Sequence, residues 1–528
     1  MIHDFRAAGA LTLAPDATLV IGAGAAGLAV ALTLADAGER VVVLESGGDS
    51  NDQNAAQEAA PLNEAVQTGL PLAWVQNGRA RTIGGTTALW HGQCMRLHDI
   101  DLSKRPWVAH SGWPMALSEL DSHYAAAERF LGLSGLGYGA SRWQEHASLQ
   151  PLVWDDDHLL HDFTEYTPNP HLGHVHRRRL DAHPRLDLLL HATASRVIVE
   201  RGQVSAIEVR DSVRPAAMFA ARRVVLAGGA IENARLLMLS DSEGIGLGDG
   251  RQFTGRFYQD HPIIRTAQVV AKDFRVLQDR YIALHRGRRR LFAKVRLSPQ
   301  AQQQHRLLDA TAVFLHEHDD PARQALRRLV LAARYRRRPE NPLQDAVRSM
   351  AAPASLLRDA WRRYARGLAT GARPSAVWLQ LWIEQQPDAD SRITLDERRD
   401  MLGLRQARLN WTCGDLEMST SRALTRWVGN GLARLGLAEL RELPAMTDDA
   451  AWRQTVGDAA HPAGTTRMSA DPGSGVVDAQ SKVHGIAGLY VAGSSVFPIC
   501  GYANPTLTIV ALALRLAEHL QAKQSVAA

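Results

Sequence analysis

The sequence predicts an α/β fold: a Rossmann-type dinucleotide-binding domain joined to an α+β domain with an antiparallel sheet. Three observations carry that expectation. Residues 17–46, ATLVIGAGAAGLAVALTLADAGERVVVLES, read as strand, glycine turn, helix, strand and terminal acid. Residues 222–240, RRVVLAGGAIENARLLMLS, repeat the order strand, glycine turn, helix. From Ile263 to about Ala450, alternating strands mix with polar helices, with AVWLQLWI (376–383) the clearest strand and Ser391–Leu409 a hairpin.

In the first unit, Thr18–Ile21 is a short apolar strand and Val41–Leu44 a second one. Gly22, Gly24 and Gly27 stand between them in the spacing G-x-G-x-x-G. Gly22 suits a tight turn, Gly24 lets a pyrophosphate approach the backbone, and Gly27 lets helix and strand pack closely. Ala25 and Ala26 open an Ala/Leu-rich helix whose unpaired N–H groups face that pyrophosphate, and Gly38 ends it. Glu45 suits the two ribose hydroxyls, its charge repels a 2′-phosphate, and Ser46 follows it. The unit therefore calls for an ADP-containing cofactor.

The composition is that of a globular protein: 528 residues, 45% apolar, 22% charged and a net charge of +5. Two domains fit in such a length. Cys94, Cys413 and Cys500 are far apart, which argues for a reducing compartment and against a metal site. The first twenty residues lack the basic and apolar regions of a signal peptide, and no apolar run reaches membrane-spanning length. A cytoplasmic location is expected. Nucleic acid is disfavoured as a partner, because no aromatic-interleaved basic motif is present.

Along the chain, residues 49–70 read as helix and loop. Gly84, Gly85, Thr86 and Thr87, flanked by Arg81, Trp90, His91 and Gly92, form a second flexible turn suited to the other half of a long cofactor, or a surface loop. Ser118 is a candidate helix N-cap. The histidines of 155–176 are expected to line a loop rather than bind metal. A strand pair spans His191–Val209, turning at Gly202 and including Val197. Gly228 and Gly229 form the turn of the second strand–glycine–helix unit, followed by Asn233. Residues 253–262, FTGRFYQDHP, read as a crossing point out of that domain. The Arg-dense segment 322–373 reads first as a solvated helical face, with anionic lipid or a partner subunit as the alternative. Near the end stand HPAGTTRM (461–468), GLYVAGSSVFP (488–498) and GYANPTLTIVALALRLAEHL (501–520). Pro505 suits the first position of the last helix and Asn504 its cap.

Taken in order, these five motifs resemble the glucose-methanol-choline (GMC) family of FAD-dependent oxidoreductases. Within it, GGTTALWHGQ, SGWP and VAGSSVFPICGYANPTLTIVALALRL look most like the branch of fructose dehydrogenase and gluconate 2-dehydrogenase large subunits, with pyranose-oxidase-like sugar oxidases close by. The resemblance implies an FAD-binding domain assembled from discontinuous segments (1–105, 190–260 and 455–528) and a substrate domain from 106–189 and 261–454. It implies His461 as the active-site base and Asn504 as the second polar residue, with Asn504, Pro505 and Thr506 near the flavin ring. Val197, Asn233, Gly493 and Ser494 join the cofactor set on the same ground. The implied reaction is oxidation of a CH–OH group of a sugar, glycoside, polyol or cyclitol. A dehydrogenase using a protein or quinone acceptor is expected over an oxidase. A lyase on the same fold and a complex-borne large subunit are the alternatives, the latter exported to the periplasm with a signal-bearing partner. Leu89 stands where covalently flavinylated relatives carry histidine, so non-covalent FAD is expected, although His91 is near. Trp90 and Gly493 replace the Asn and Asp common in the family.

Overall fold

The computed structural model describes every residue except 8–16, 53–56, 147–148, 156, 335–337, 340, 352, 370 and 528. Six parallel strands form one sheet in the order Ile2–Asp4, Leu186–Leu190, Val41–Leu44, Thr18–Ile21, Val224–Leu226, Leu489–Val491. The inner strands are apolar at almost every position because both faces are covered. Val20, Val43, Leu188, Val225 and Val491 are fully buried. The helix Ala25–Asp36 packs on this sheet and against the closing helix Thr506–Ala527. Its Leu28, Val30, Leu32 and Leu34 are fully buried, each contributing about 1.5–3 kcal/mol.

A larger sheet of eight strands runs Glu439–Glu442, Ile263–Val270, Ala376–Ile383, Ala310–Glu317, Arg289–Leu297, Leu159–Tyr166 and Gln93–Cys94, with Ala283–Arg286 paired outside this path to Arg289–Leu297. All its pairings are antiparallel. One face carries Val377, Leu379 and Leu381 into a core shared with the helix Asp415–Arg434, while Trp378, Gln380 and Trp382 alternate onto the other face. The hairpin Arg392–Arg399/Arg405–Trp411 forms a third sheet with Ala65–Gly69. The fourth comprises Thr193–Glu200, Gln203–Arg210 and Ala217–Ala220.

Several local expectations change. Residues 60–69 form a 3-10 turn and a strand rather than a helix, because Trp411 and its neighbours offer a parallel edge to Ala65–Gly69. The helix expected after Ser118 begins at Asp121, preceded by the 3-10 turn Leu117–Leu120, and Glu119 rather than Ser118 makes the cap bond, to Ala116 N. Residues 159–166 are a central strand and 172–182 a helix, not loop. The strand Leu186–Leu190 lies in the parallel sheet, so that sheet draws on residues placed before 190. The last helix starts at Thr506, with Pro505 O accepting from Ile509 N.

Candidate active site

Three adjacent strands of the parallel sheet end in glycine turns on one edge: Gly22, Gly228–Gly229 and Gly493. That edge is where open α/β sheets bind ligands. Gly27 brings helix and turn together, since a Cβ there would stand 1.9 Å from Gly22 O. Gly24 and Ala25 remain partly open at the helix N-terminus, with Ala26 buried behind them. Gly84 N donates to Ala23 O (2.8 Å) and Gly85, at φ +54°, presses its Cα face on Gly24, where a Cβ would come within 2.7 Å of Gly24 Cα. The two glycine turns distant in sequence thus form one cradle. Thr87 is buried and locks the turn through Gly84 O and Leu172 N, whereas Thr86 is exposed.

Glu45 is buried at the tip of its strand and accepts from Ala23 N and Gly47 N, both 2.9 Å. Burial raises its pKa against the pull of those N–H groups. Arg81 is tied to Ser46 Oγ (3.0 Å), Asn63 Oδ1 (2.9 Å) and Glu232 (3.0 Å). Glu232 also meets Arg79 and Arg235, which hold its carboxyl well below the usual range. Asn233 accepts from Gly228 N (2.8 Å) and donates to Ala492 O and Ser495 Oγ, clamping two of the glycine turns together. Val197 gives its N–H to Ser240 Oγ. Gly92, at φ +82°, packs on Thr167; Trp90 donates to Pro170 O (2.6 Å). His91 is exposed and lines a cleft with Tyr166 and Arg290.

HPAGTTRM is hydrogen-bonded along the turn that follows the last parallel strand: Gly464 N, Thr466 N and Met468 N donate to Ser494 O, Ser495 O and Val496 O, and Ser494 Oγ donates to Pro462 O. This pairing carries His461 to the start of the closing helix. FYQDHP runs antiparallel beside it, through Gln259 and Ala463. The buried carboxyl of Asp260 accepts from His461 N (3.0 Å), His261 N (2.7 Å) and Ala459 N (3.0 Å). Burial and Asp458 push that carboxyl up to about 8 against these N–H groups. His261 Nδ1 and His461 Nδ1 lie 3.0 Å apart. Burial lowers both imidazoles, His461 to about 3 with help from Lys294, so both are neutral near neutral pH. His261 Nε2 is buried and has no hydrogen-bond partner among the described residues.

Lys294 completes the cluster. It projects from the open face of the eight-stranded sheet, opposite Asp162 in register. It is 1% exposed, its Nζ has no hydrogen-bond partner, and it lies over the rings of Trp382 (5.1 Å) and Tyr502 (5.6 Å). Burial lowers its pKa to about 7. Below it, Asp162 binds His98 (2.9 Å), Arg296 (2.9 Å) and the Tyr502 hydroxyl. His98, Asp101 and Asp309 bring ligand-type atoms within 4.8 Å of one another, but the His98 pKa is raised well above 6.5 and Arg296 is adjacent, so positive charge is already supplied. Asn504 is buried and its Oδ1 has no hydrogen-bond partner, so that oxygen does not cap the helix.

Sequence reasoning did not single out Asp260, His261, Lys294 or Trp382. The DHP triplet was visible as a domain crossing, and Lys294 as a charge alternating with Leu291, Ala293, Val295 and Leu297. The Gln259–Ala463 pairing places Asp260 and His261 against His461, and the sheet register places Lys294 and Trp382 there. Together the cradle and the unpartnered Asn504 Oδ1, Trp382 Nε1 and Lys294 Nζ fit FAD, whose phosphates need bare backbone and whose ring needs polar contacts.

Among protein families, residues 17–250 match the FAD binding domain and residues 387–513 match GMC oxidoreductase. The chain belongs to the GMC oxidoreductase family. It is 27% identical to C-glycoside 3-oxidase of Microbacterium trichothecenolyticum, over 86% of this chain and 77% of that one. It is 25% identical to 6'''-hydroxyparomomycin C oxidase of Streptomyces lividus, over 96% of this chain and 92% of that one. Its fold is similar to that of an Aspergillus oryzae formate oxidase variant studied for FAD modification, at 19% identity and a TM-score of 0.56 over 96% and 98% of the two chains. This GMC oxidoreductase is an FAD enzyme of mixed α/β fold, as its motifs foretold. The fructose-dehydrogenase branch is not singled out by these relatives, which are glycoside and aminoglycoside oxidases.

Proposed function

We propose that this GMC oxidoreductase oxidises a secondary or primary alcohol of a glycoside-like substrate, with His461 as proton acceptor and Asn504 orienting the hydroxyl. The observation that carries this reading is the His261–His461 pair anchored by Asp260, with Trp382 packed against His461 and Lys294 over the Trp382 ring. Two neutral imidazoles this close share one proton between their Nδ1 atoms; with His461 Nδ1 as the donor, His461 Nε2 keeps a lone pair for the substrate hydroxyl. Lys294 stabilises the negative oxygen that forms, and that oxygen in turn raises the proton affinity of His461. When bound, FAD accepts the hydride from the carbinol carbon. Gly22, Gly24, Gly85 and Glu45 would hold its ADP half, while Asn504, Pro505 and Thr506 would border the ring. The segments 1–105, about 186–260 and 455–528 form the cofactor-binding part of this reading, and the eight-stranded sheet the substrate-binding part.

Binding of FAD is non-covalent in this proposal, because Leu89 offers no bonding atom. The relatives named above are oxidases, which supports oxygen as acceptor in place of the dehydrogenase chemistry expected from sequence. Anaerobic mixing with a panel of glycosides should bleach the flavin absorbance, and air should restore it. His461→Ala should retain FAD and reduce about 10²–10⁴-fold more slowly. A variant that bleaches as fast as the native enzyme removes the base assignment. Turnover with flavin that stays oxidised points instead to a lyase.

A further inference from the structure

The helices Pro321–Arg334, Pro342–Ser349 and Pro353–Arg366 carry an unusual surface. Of the eighteen large hydrophobic side chains that are exposed among the described residues, eight lie here: Leu326, Val330, Leu343, Val347, Met350, Leu357, Trp361 and Tyr364. They are not scattered. Leu326 and Val330 are four apart, as are Leu343 and Val347, and Leu357, Trp361 and Tyr364 follow at i, i+4 and i+7. Each helix therefore bears exposed apolar side chains at helical spacing along one face. Tyr364 is 84% and Leu343 83% exposed, which no packing inside one molecule accounts for.

The charge on this surface is equally one-sided. Residues 321–373 contain thirteen arginines and three acids, so the rest of the chain is net negative. Two of those acids face inward as ties between the helices: Asp345 pairs with Arg328 (3.0 Å) and Asp359 with Arg323 (3.0 Å). Arg362 pairs with Asp279 and fixes the third helix to the body. Arg327, Arg348, Arg358, Arg363 and Arg366 have no carboxylate partner among the described residues.

We propose that this face docks on an anionic lipid bilayer surface. Apolar stripes with Trp and Tyr, flanked by arginines, bury their ring and aliphatic atoms at the headgroup boundary while guanidinium groups meet lipid phosphates. A second copy of this chain is the wrong partner, because it would bring two arginine-rich faces together. The helices lie on the surface, for no described helix is long and apolar enough to cross a membrane. Arg327, Val330, Arg363 and Tyr364 also line a cleft of about 1770 Å³ that reaches Phe292 and Val313. Phe292 stands on the same sheet face as Lys294, so the bilayer would lie at one entrance toward the catalytic side of the sheet.

The test is flotation of the FAD-loaded enzyme with two vesicle types: phosphatidylcholine alone, and phosphatidylcholine with roughly one-third phosphatidylglycerol, in about 0.05 M and about 0.5 M salt. Binding is expected only to the anionic vesicles, falling at least tenfold at the higher salt. Arg348→Gln with Arg358→Gln and Arg363→Gln should weaken it roughly 100-fold, at about fivefold per charge. Leu343→Ser with Leu357→Ser and Trp361→Ser should weaken it at least tenfold at unchanged charge. Retained flavin content and unchanged far-UV circular dichroism show that each variant is folded. Failure to float with anionic vesicles at low salt overturns the proposal, as does undiminished binding by either triple variant. Concentration-dependent dimerisation abolished by Trp361→Ser would overturn it in favour of self-association.

Discussion

Replacing Lys294 by Met should make the enzyme more stable and less active, and the stability gain should depend on pH in a defined direction. The ammonium is fully buried with no hydrogen-bond partner, and its pKa falls from 10.5 to about 7 on folding. A base with a depressed folded pKa costs stability in full below that pKa, and the cost is relieved as pH rises toward the unfolded value. At about 1.4 kcal/mol per pH unit the cost is ~5 kcal/mol at pH 6 and ~2 kcal/mol at pH 9. Met keeps the unbranched shape and removes the charge, at the loss of a cation–π contact worth about 1 kcal/mol to the protonated form. The net gain is then ~4 kcal/mol at pH 6 and ~2 kcal/mol at pH 9. With an unfolding entropy near 1.1 kcal/mol/K for 528 residues, these gains correspond to Tm increases of about 4 °C and about 2 °C. Differential scanning calorimetry of the FAD-free forms at the two pH values reads this directly. A Lys294→Met protein that melts at or below the native temperature at pH 6, or whose gain is the same at pH 9, refutes the reasoning. The same variant should show reduced kcat/KM, since a charge kept at such a cost marks a site that uses it.

Two further substitutions probe the cradle and the histidine anchor. Gly85→Ala forces a Cβ to within 2.7 Å of Gly24 Cα at φ +54°, so the purified protein should keep its far-UV circular dichroism but carry much less FAD by absorbance ratio. Asp260→Ala removes both carboxyl oxygens that accept from His461 N. Turnover should fall about 10–100-fold with FAD content unchanged, because the imidazole loses its fixed position.

How much of this was legible depended on how local the cause was. Gly22, Gly24, Gly27 and Glu45 lie within one strand–helix–strand unit, so their spacing alone reported the cradle, and the structure builds it there. The hairpin in 391–409 and the strand 376–383 followed from alternation in the same way. Ser118 failed as a cap because Glu119, one residue on, reaches back to Ala116 N through a 3-10 turn. The strand Ala65–Gly69 was hidden because the strand it pairs with, Arg405–Trp411, lies more than three hundred residues away.

The chain's own order of residues fixed the glycine turns, the acid that follows them, and the motif that bears His461, because each is set by backbone sterics and hydrogen bonds over a few positions. Folding in three dimensions decided that His261 meets His461, that Asp260 holds both, and that Lys294 stands unpartnered between Trp382 and Tyr502. Asp260 and His261 come from the segment paired through Gln259 and Ala463, and Lys294 and Trp382 from strands whose pairing is governed by register across the sheet. A slip of one residue there would turn Lys294 to the opposite face and leave the imidazole pair without its cation.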